Sequence, residues 1–301
     1  MSGILASMRL ALQDLSRPFV LPLGITKLPE YAHVIAASSL SFFFIHLVLA
    51  PLLSKALFPR SYGQLKSHRS RNNWNIHIVS LIHALTVIPL AFKSLYLPAL
   101  DADRAFGWDP QYGTLAGIAC GYFIWDTLES LWHFSDISFV IHGGHHQFIS
   151  NSTLVGLEFK RLLLHLGVAC FFIYFLSFTP FIAYFGPRFL LWELSTPFLN
   201  IHWFLDKMNL TGSTIQLVNG ILLLSSFAGA RLVYGFIKTL FAIKDQVPLG
   251  VTLTYGLGNV VLNVLNIFWF VKMISALQKR MKPTENGVKI ANGDANVKKT
   301  K

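Results

Sequence analysis

Seven long apolar stretches alternate with polar segments along the chain. Each is close to the roughly 20 residues that an α-helix needs to cross the hydrocarbon core of a bilayer. The pattern predicts an all-α fold, a multi-pass transmembrane helical bundle of about seven spans. The predicted spans are His33–Leu53, Ile76–Leu97, Tyr112–Phe134, Gly167–Phe185, Phe189–Phe204, Ser213–Ile237 and Thr252–Ala276.

Composition and charge support a membrane protein. Hydrophobic residues make up 53% of the chain and charged residues only 13%, whereas a soluble domain has about 25% charged residues. The net charge of +11 is concentrated in the loop Lys55–Arg71 and in the tail Leu277–Lys301. Basic residues beside spans mark the cytosolic side. The sequence therefore predicts a cytosolic loop, a cytosolic C-terminal tail and a lumenal N-terminus, with no nucleic-acid partner.

One polar interruption breaks the helical pattern between the third and fourth predicted spans. Joining His142 directly to Gly167 would give an uninterrupted apolar helix, so residues 143–166 are predicted to be an insertion. Codons for its ends can match intron borders, and a retained intron is our hypothesis for its origin. The predicted organisation is an N-terminal segment 1–32, a first transmembrane helix 33–53, a helical domain 71–276 and a basic tail 277–301.

Polar residues recur at helical spacing inside several spans. Asp126, Glu129 and His133 fall on one helix face, because residues three and four positions apart lie above one another. An ionised carboxylate at the bilayer centre costs about 2.5–3.5 kcal/mol, so such faces are predicted to line an inner polar cavity. For single Asn or Ser residues, hydrogen bonding between helices is the alternative. The residues predicted to line the cavity are His83, Asp126, Glu129, His133, His142, Glu193, Asn200 and Arg231.

Three kinds of chemistry are open to these residues. His142 beside Asp126 would form a general base or a nucleophile, if the short link after Phe134 sets the third and fourth spans side by side. The same residues could bind a lipid headgroup without turnover. His142, His145 and His146 also form one H-x-x-H-H box of the kind found in di-iron desaturases and hydroxylases. The other boxes of those enzymes are missing from the sequence, so no metal site is predicted.

Several segments in order along the chain resemble the TLC-domain superfamily, which includes ceramide synthases and non-synthase relatives. Glu193 within Glu-Leu-Ser-Thr-Pro-Phe is similar to the non-synthase branch. The resemblance implies that six spans surround a lipid-sized central cavity, in the endoplasmic reticulum membrane. The segments that carry it are Trp74–Ala84, Gly121–Asp126, Ile137–His142, Trp192–Asn200, Phe227–Arg231 and Leu262–Met273.

The resemblance also allows these residues to be compared with the acyl-transfer site of ceramide synthases. Ceramide synthases carry adjacent histidines at the start of the fourth span, with Asp residues nearby. Here His142 takes the first position, but Gly143, or Gly167 if the insertion is absent, takes the second. Asp126 matches the acidic position of the third span. The missing second histidine argues against acyl-CoA transfer.

These observations lead to one expectation and its alternatives. We expect a TLC-domain protein that binds or senses a lipid, contributes to membrane lipid homeostasis and needs no cofactor. The alternative is a sphingoid-base N-acyltransferase with acyl-CoA as co-substrate, in which His142 and Asp126 are catalytic. A di-iron lipid oxidase is a more remote alternative. The expected partners are membrane lipids, including sphingolipids, and a partner membrane protein or a second copy of the chain. Lys298-Lys-Thr-Lys301 resembles a dilysine retrieval signal, which agrees with the endoplasmic reticulum.

Overall fold

The structure is a computed structural model that describes residues 2–143, 178–179, 183–234 and 249–281, with the backbone alone at 2, 133–143, 249–259, 261, 276 and 279–281. All regular secondary structure in these ranges is helical, which confirms the predicted all-α class. The α-helices are α1 Ser2–Val20, α2 Leu28–Phe44, α3 Ala50–Leu57, α4 Pro59–Gly63, α5 His68–Ser94, α6 Pro98–Ala102, α7 Pro110–Gly143, α8 Gly186–Leu190, α9 Thr196–Lys207, α10 Thr214–Phe227 and α11 Leu249–Met281.

Three helical segments of the described chain are long and apolar enough to cross a membrane. They are Leu28–Leu57, His68–Ser94 and Thr214–Tyr234, which correspond to the first, second and sixth predicted spans. Leu262–Ser275 is a shorter apolar helix within the last predicted span. The structure thus agrees with a helical membrane bundle, and seven crossings remain a prediction. Most of the fourth predicted span lies outside the described residues.

Two of the predicted spans have different boundaries in the structure. Helix α7 runs from Pro110 to Gly143 without a break, so the short link predicted after Phe134 is absent from the backbone. The fifth predicted span is divided among α8, a 3₁₀ turn at Leu191–Ser195 and α9. Pro187 and Pro197 stand near the starts of α8 and α9, where a missing backbone N–H costs no helical hydrogen bond.

The described chain groups into two compact units, one ending at Pro197 and one beginning at Phe198. In the first unit, α2 and α7 pack closely because three glycines four positions apart face α2. A Cβ atom added to Gly113 would overlap the ring of Tyr31, and one added to Gly121 would lie 2.6 Å from Ser38 Cβ. Ser38 Oγ donates a hydrogen bond to the Ile118 carbonyl at 2.9 Å. Such small-residue faces are typical of helix pairs in membranes. The glycines are Gly113, Gly117 and Gly121.

The first span contains a π-helical turn at Ile45–Leu49 that separates α2 from α3. Pro51 follows this turn within α3. Proline has no N–H group, and its ring crowds the carbonyl four residues earlier, here that of Leu47. Widening the preceding turn accommodates that carbonyl without ending the helix. His46 lies in the widened turn and is 4% exposed.

In the second unit, a tight turn joins α9 to α10. Asn209 and Gly212 adopt positive φ values of 60° and 80°, which few residues other than Gly and Asn tolerate. Asp206 Oδ1 accepts hydrogen bonds from Thr211 Oγ1 at 2.9 Å and from Gln216 Nε2 at 2.5 Å. Hydrogen bonds from Thr211 of the turn and from Gln216 of α10 to Asp206 therefore tie the end of α9 to the start of α10.

Candidate functional site

A chain of hydrogen bonds crosses the interior of the first unit. Trp125 Nε1 donates to His46 Nδ1 at 3.3 Å, and His46 Nε2 lies 2.9 Å from Asn72 Oδ1. Asn72 Nδ2 donates to Glu129 Oε1 at 2.7 Å. An indole N–H donates only, so Nδ1 of His46 accepts and its Nε2–H donates to the amide oxygen. All the bonds therefore run in one direction and end on the Glu129 carboxylate.

This hydrogen-bond chain joins three helical segments through buried groups. His46 comes from the π turn of the first span, Asn72 from the start of α5, and Trp125 and Glu129 from successive turns of α7. Trp125 is fully buried and Glu129 is 9% exposed. Phe42, Val79 and Trp125 form the hydrophobic cluster beside it. The polar atoms of Trp125 and His46 thus satisfy one another within an apolar core, where an unpaired donor is costly.

Three carboxyl groups come from α7 and from the 3₁₀ turn at Leu191–Ser195, and we refer to them as the carboxyl cluster. Asp126 and Glu129 lie one turn apart on one face of α7. Glu193, from the 3₁₀ turn, comes within range of electrostatic repulsion of Asp126. Asp126 and Glu193 are half-buried, and neither has a hydrogen-bond or ion-pair partner among the residues that the structure describes. The polar cavity predicted around Asp126, Glu129 and Glu193 stays a prediction.

His83 lies in an aromatic cage next to this cluster. Its ring stacks on Tyr122 with a centroid distance of 3.6 Å and an interplanar angle of 7°. Phe42 and Phe123 approach edge-on at 5.8 and 6.0 Å. Both ring nitrogens are buried and have no hydrogen-bond partner in the described part of the chain. Tyr122 precedes Asp126 by one helical turn, so the cage and the carboxyl groups occupy neighbouring turns of α7.

Two predicted cavity residues belong to the second unit. Asn200 is 2% exposed on α9. Arg231 lies in a π-helical segment, Ala228–Tyr234, and its guanidinium group stands 4.9 Å from the centroid of the Phe227 ring. Each is described within its own unit, and a cavity shared with the residues of the first unit remains a prediction.

The pair proposed for acyl transfer is held apart by helix α7. Asp126 and His142 are sixteen positions apart in this continuous helix, which is about 24 Å along its axis at 1.5 Å per residue. That separation is too large for a hydrogen bond between the two side chains. The prediction that the short link would bring them together is therefore wrong for this structure, because no link interrupts the helix.

The remaining predicted histidines lie where the structure does not describe side chains. The side chains of His133 and His142 lie outside the described residues, as do His145 and His146 entirely. The residues that are described include no group of three or more His, Cys, Asp or Glu placed to hold a metal ion.

Sequence reasoning missed His46, Asn72 and Trp125. A usable signal existed for His46, since it is the only ionisable residue between His33 and Lys55 in the first span. Asn72 and Trp125 gave no such signal, because one stands at the polar start of a helix and the other is an ordinary core residue type.

Comparison with known proteins gives consistent similarities. A family model described as TLC domain matches residues 73–275. An uncharacterized TLC domain-containing protein of Schizosaccharomyces pombe is 35% identical over 286 residues, covering 92% of this chain and 89% of the relative. Topoisomerase I damage affected protein 4 of Saccharomyces cerevisiae is 28% identical over 247 residues, covering 78% and 80%. Human TLC domain-containing protein 4 is 28% identical over 216 residues, covering 69% and 74%.

Proposed function

The chain belongs to the TLC-domain family, in a non-synthase branch that includes TLC domain-containing protein 4. From that premise we propose that it binds a membrane lipid by its headgroup. The proposed site is the carboxyl cluster of Asp126, Glu129 and Glu193. The observation that carries the proposal is that Asp126 and Glu193 are half-buried carboxyl groups and that no residue the structure describes donates a hydrogen bond or forms an ion pair with either.

The carboxyl cluster limits the chemistry of the ligand. Unpartnered carboxylates at half-buried positions of a membrane protein are costly. A headgroup with an amine or with several hydroxyl and amide donors would offset that cost by hydrogen bonding to them. Sphingoid bases and sphingolipids carry such groups, so a sphingolipid is the class that we propose.

The hydrogen-bond chain would orient one member of this site. Asn72 Nδ2 occupies one oxygen of Glu129, and His46 in turn holds the Asn72 amide. The carboxylate of Glu129 is therefore fixed in position, as binding sites require of their polar groups. In this proposal Asp126 and Glu193 contact the headgroup, and Glu129 positions them by its charge.

We further propose that the protein acts in the endoplasmic reticulum membrane and contributes to membrane lipid homeostasis. The sequence supports this compartment through Lys298-Lys-Thr-Lys301 and through the basic loop after the first span. Binding or sensing is favoured over acyl transfer, since α7 separates the positions of Asp126 and His142.

Lipid occupancy of the purified protein tests the proposal. The full chain would be purified in mild detergent, and the co-purifying lipids identified by native mass spectrometry. We expect Asp126→Asn with Glu193→Gln to lower the occupancy of a defined lipid by about tenfold, as loss of charge-assisted hydrogen bonds implies. The matched control is Asp14→Asn with Glu30→Gln, which makes the same changes at exposed acids of α1 and α2.

Two outcomes would contradict the proposal. One is equal lipid occupancy in wild type, site variant and control. The other is formation of an N-acylated product from sphingoid base and acyl-CoA that His142→Ala abolishes, since this would establish the transferase instead.

A further inference from the structure

A cleft with two basic side chains opens where the first two spans end and begin. It has a volume of about 200 Å³ and is lined by Lys55, Pro59, Tyr62, Gly63 and Arg71. We refer to it as the basic cleft. Lys55 lies near the end of the span Leu28–Leu57, and Arg71 in the first turn of the span His68–Ser94. Because one span ends and the other begins there, we expect the basic cleft at the level of the lipid headgroups.

The walls of the basic cleft are held by buried contacts. Trp74 is 1% exposed, and its Nε1 donates to Ser54 Oγ at 2.9 Å. The ring of Tyr62 packs against Trp74 with a centroid distance of 5.9 Å. The Tyr62 hydroxyl lies 3.4 Å from Asn75 Oδ1. The cleft is therefore a surface of α3, α4 and α5 whose shape is fixed by the buried side chains beneath it.

The two cations of the basic cleft are available to a ligand. Arg71 Nε donates to the Leu65 carbonyl at 2.8 Å, which orients the guanidinium plane and leaves its two terminal amino groups for other contacts. Lys55 has no partner among the residues that the structure describes. No Asp or Glu occurs between Tyr31 and Leu100 in the sequence. The loop and the second span therefore contain no acid, and Glu30, the one acid of the span Leu28–Leu57, lies 25 positions before Lys55 near the opposite end of that span.

We propose that the basic cleft binds the phosphate group of an anionic compound, at the membrane surface. An oriented guanidinium binds two phosphate oxygens at once, and a lysine supplies a further charge. Anionic lipids accumulate beside basic segments next to spans, so a phospholipid headgroup is one source of this phosphate. A soluble phosphate ester is the other. The inference does not depend on the carboxyl cluster or on the ligand proposed for it.

Titration of the full chain with a phosphoinositide tests this site. Protein in phosphatidylcholine nanodiscs would be titrated with short-chain phosphatidylinositol 4-phosphate, and the bound lipid counted by native mass spectrometry. Inorganic phosphate and the free inositol phosphate headgroup would serve as competitors. Competition by the bare headgroup as strong as that by the lipid would identify a soluble ester, and competition about tenfold weaker would identify a lipid. Either pattern requires a phosphate site.

Charge variants separate the basic cleft from the basic loop as a whole. We expect Lys55→Gln with Arg71→Gln to weaken binding by about tenfold or more, because both phosphate contacts are lost. The control, Lys66→Gln with Arg69→Gln, removes the same charge from the same loop at exposed positions outside the cleft. We expect it to weaken binding only about twofold, through the diffuse surface charge. Equal losses in the two variants would overturn the proposal.

A second variant tests the cleft without changing any charge. A Cβ atom at Gly63 would meet nothing within 4 Å, so Gly63→Leu can fill the cleft while leaving the fold intact. Gly3→Leu is the matched control, because Gly3 also has nothing within 4 Å and lies on α1. Unfolding midpoints equal to wild type would show that both variants are folded. Binding by folded Gly63→Leu as tight as by Gly3→Leu would overturn the proposal.

Discussion

Replacement of His46 by Phe would break the hydrogen-bond chain while keeping a ring in the same place. The substitution removes the acceptor of Trp125 Nε1–H and the donor to Asn72 Oδ1. Trp125 is fully buried, so its indole N–H would lose the one partner it has among the residues that the structure describes, at a cost of about 1–3 kcal/mol. The Asn72 oxygen is half-buried and would lose a hydrogen bond worth about 0.5–1.5 kcal/mol.

We therefore expect His46→Phe to lower the free energy of unfolding by about 2–4 kcal/mol. The measurement is an SDS titration of the purified protein followed by circular dichroism. His68→Phe is the control, because His68 is exposed at the start of α5 and belongs to no part of the hydrogen-bond chain. It should change the free energy of unfolding by less than about 0.5 kcal/mol.

A double-mutant cycle with Trp125→Phe isolates the hydrogen bond from the packing of the rings. The two residues are in direct contact, with ring centroids 5.4 Å apart at 84°, so their effects should couple by about 0.5–3 kcal/mol. Additive effects, together with a loss from His46→Phe no larger than that of His68→Phe, would refute the directional hydrogen-bond chain described here.

Other predictions concern the packing and the ends of helices. Gly121→Leu would place its Cβ 2.6 Å from Ser38 Cβ and 2.7 Å from the Ile35 carbonyl oxygen. Because overpacking of this kind costs about 1–3 kcal/mol, we expect the variant to be less stable than wild type. A free energy of unfolding in SDS equal to that of Gly3→Leu would contradict this prediction. Ser213 Oγ accepts a hydrogen bond from the Gln216 N–H at the start of α10. Ser213→Ala should therefore lower the free energy of unfolding by about 1 kcal/mol, while Ser213→Asp retains wild-type stability. Equal losses in the two variants would exclude a capping role. Trp74→Phe removes the hydrogen bond to Ser54 and should lower the free energy of unfolding by about 0.5–1.5 kcal/mol. A double-mutant cycle of Ser54→Ala and Trp74→Phe that shows no coupling would argue against that contact.

Hydropathy was sufficient for the fold class and for most of the long helices. The stretches His33–Leu53, Ile76–Leu97 and Ser213–Ile237 each overlap a helix of membrane length. Those predictions depend only on apolar length and charge, which act over many residues and tolerate local exceptions. The link predicted after Phe134 failed for the same reason. Asp136 and its polar neighbour Ser135 lower the local hydropathy, but two such residues do not break a helix.

The carboxyl cluster could be predicted in part, and the hydrogen-bond chain could not. Asp126 and Glu129 share one α-helical face, so spacing alone placed them together. Glu193 joins them from a 3₁₀ turn of a distant segment, and only the rarity of a carboxylate inside a span suggested it. His46 joins the chain from a π turn, and no α-helical spacing relates that position to the polar faces of other spans.

The π turn at Ile45–Leu49 gives a last prediction that links the sequence to the site. Restoring a backbone N–H by Pro51→Ala removes the reason for the wide turn, so we expect an α-helical turn to replace it. One residue fewer per wide turn shifts the register by about 100°, which would turn His46 away from Asn72. In the Pro51→Ala protein, His46→Phe should then cost less than about 0.5 kcal/mol, against about 2–4 kcal/mol in the Pro51 protein. If His46→Phe is equally costly in both proteins, Pro51 does not set the π turn, and the placement of His46 must come from its partners on α5 and α7.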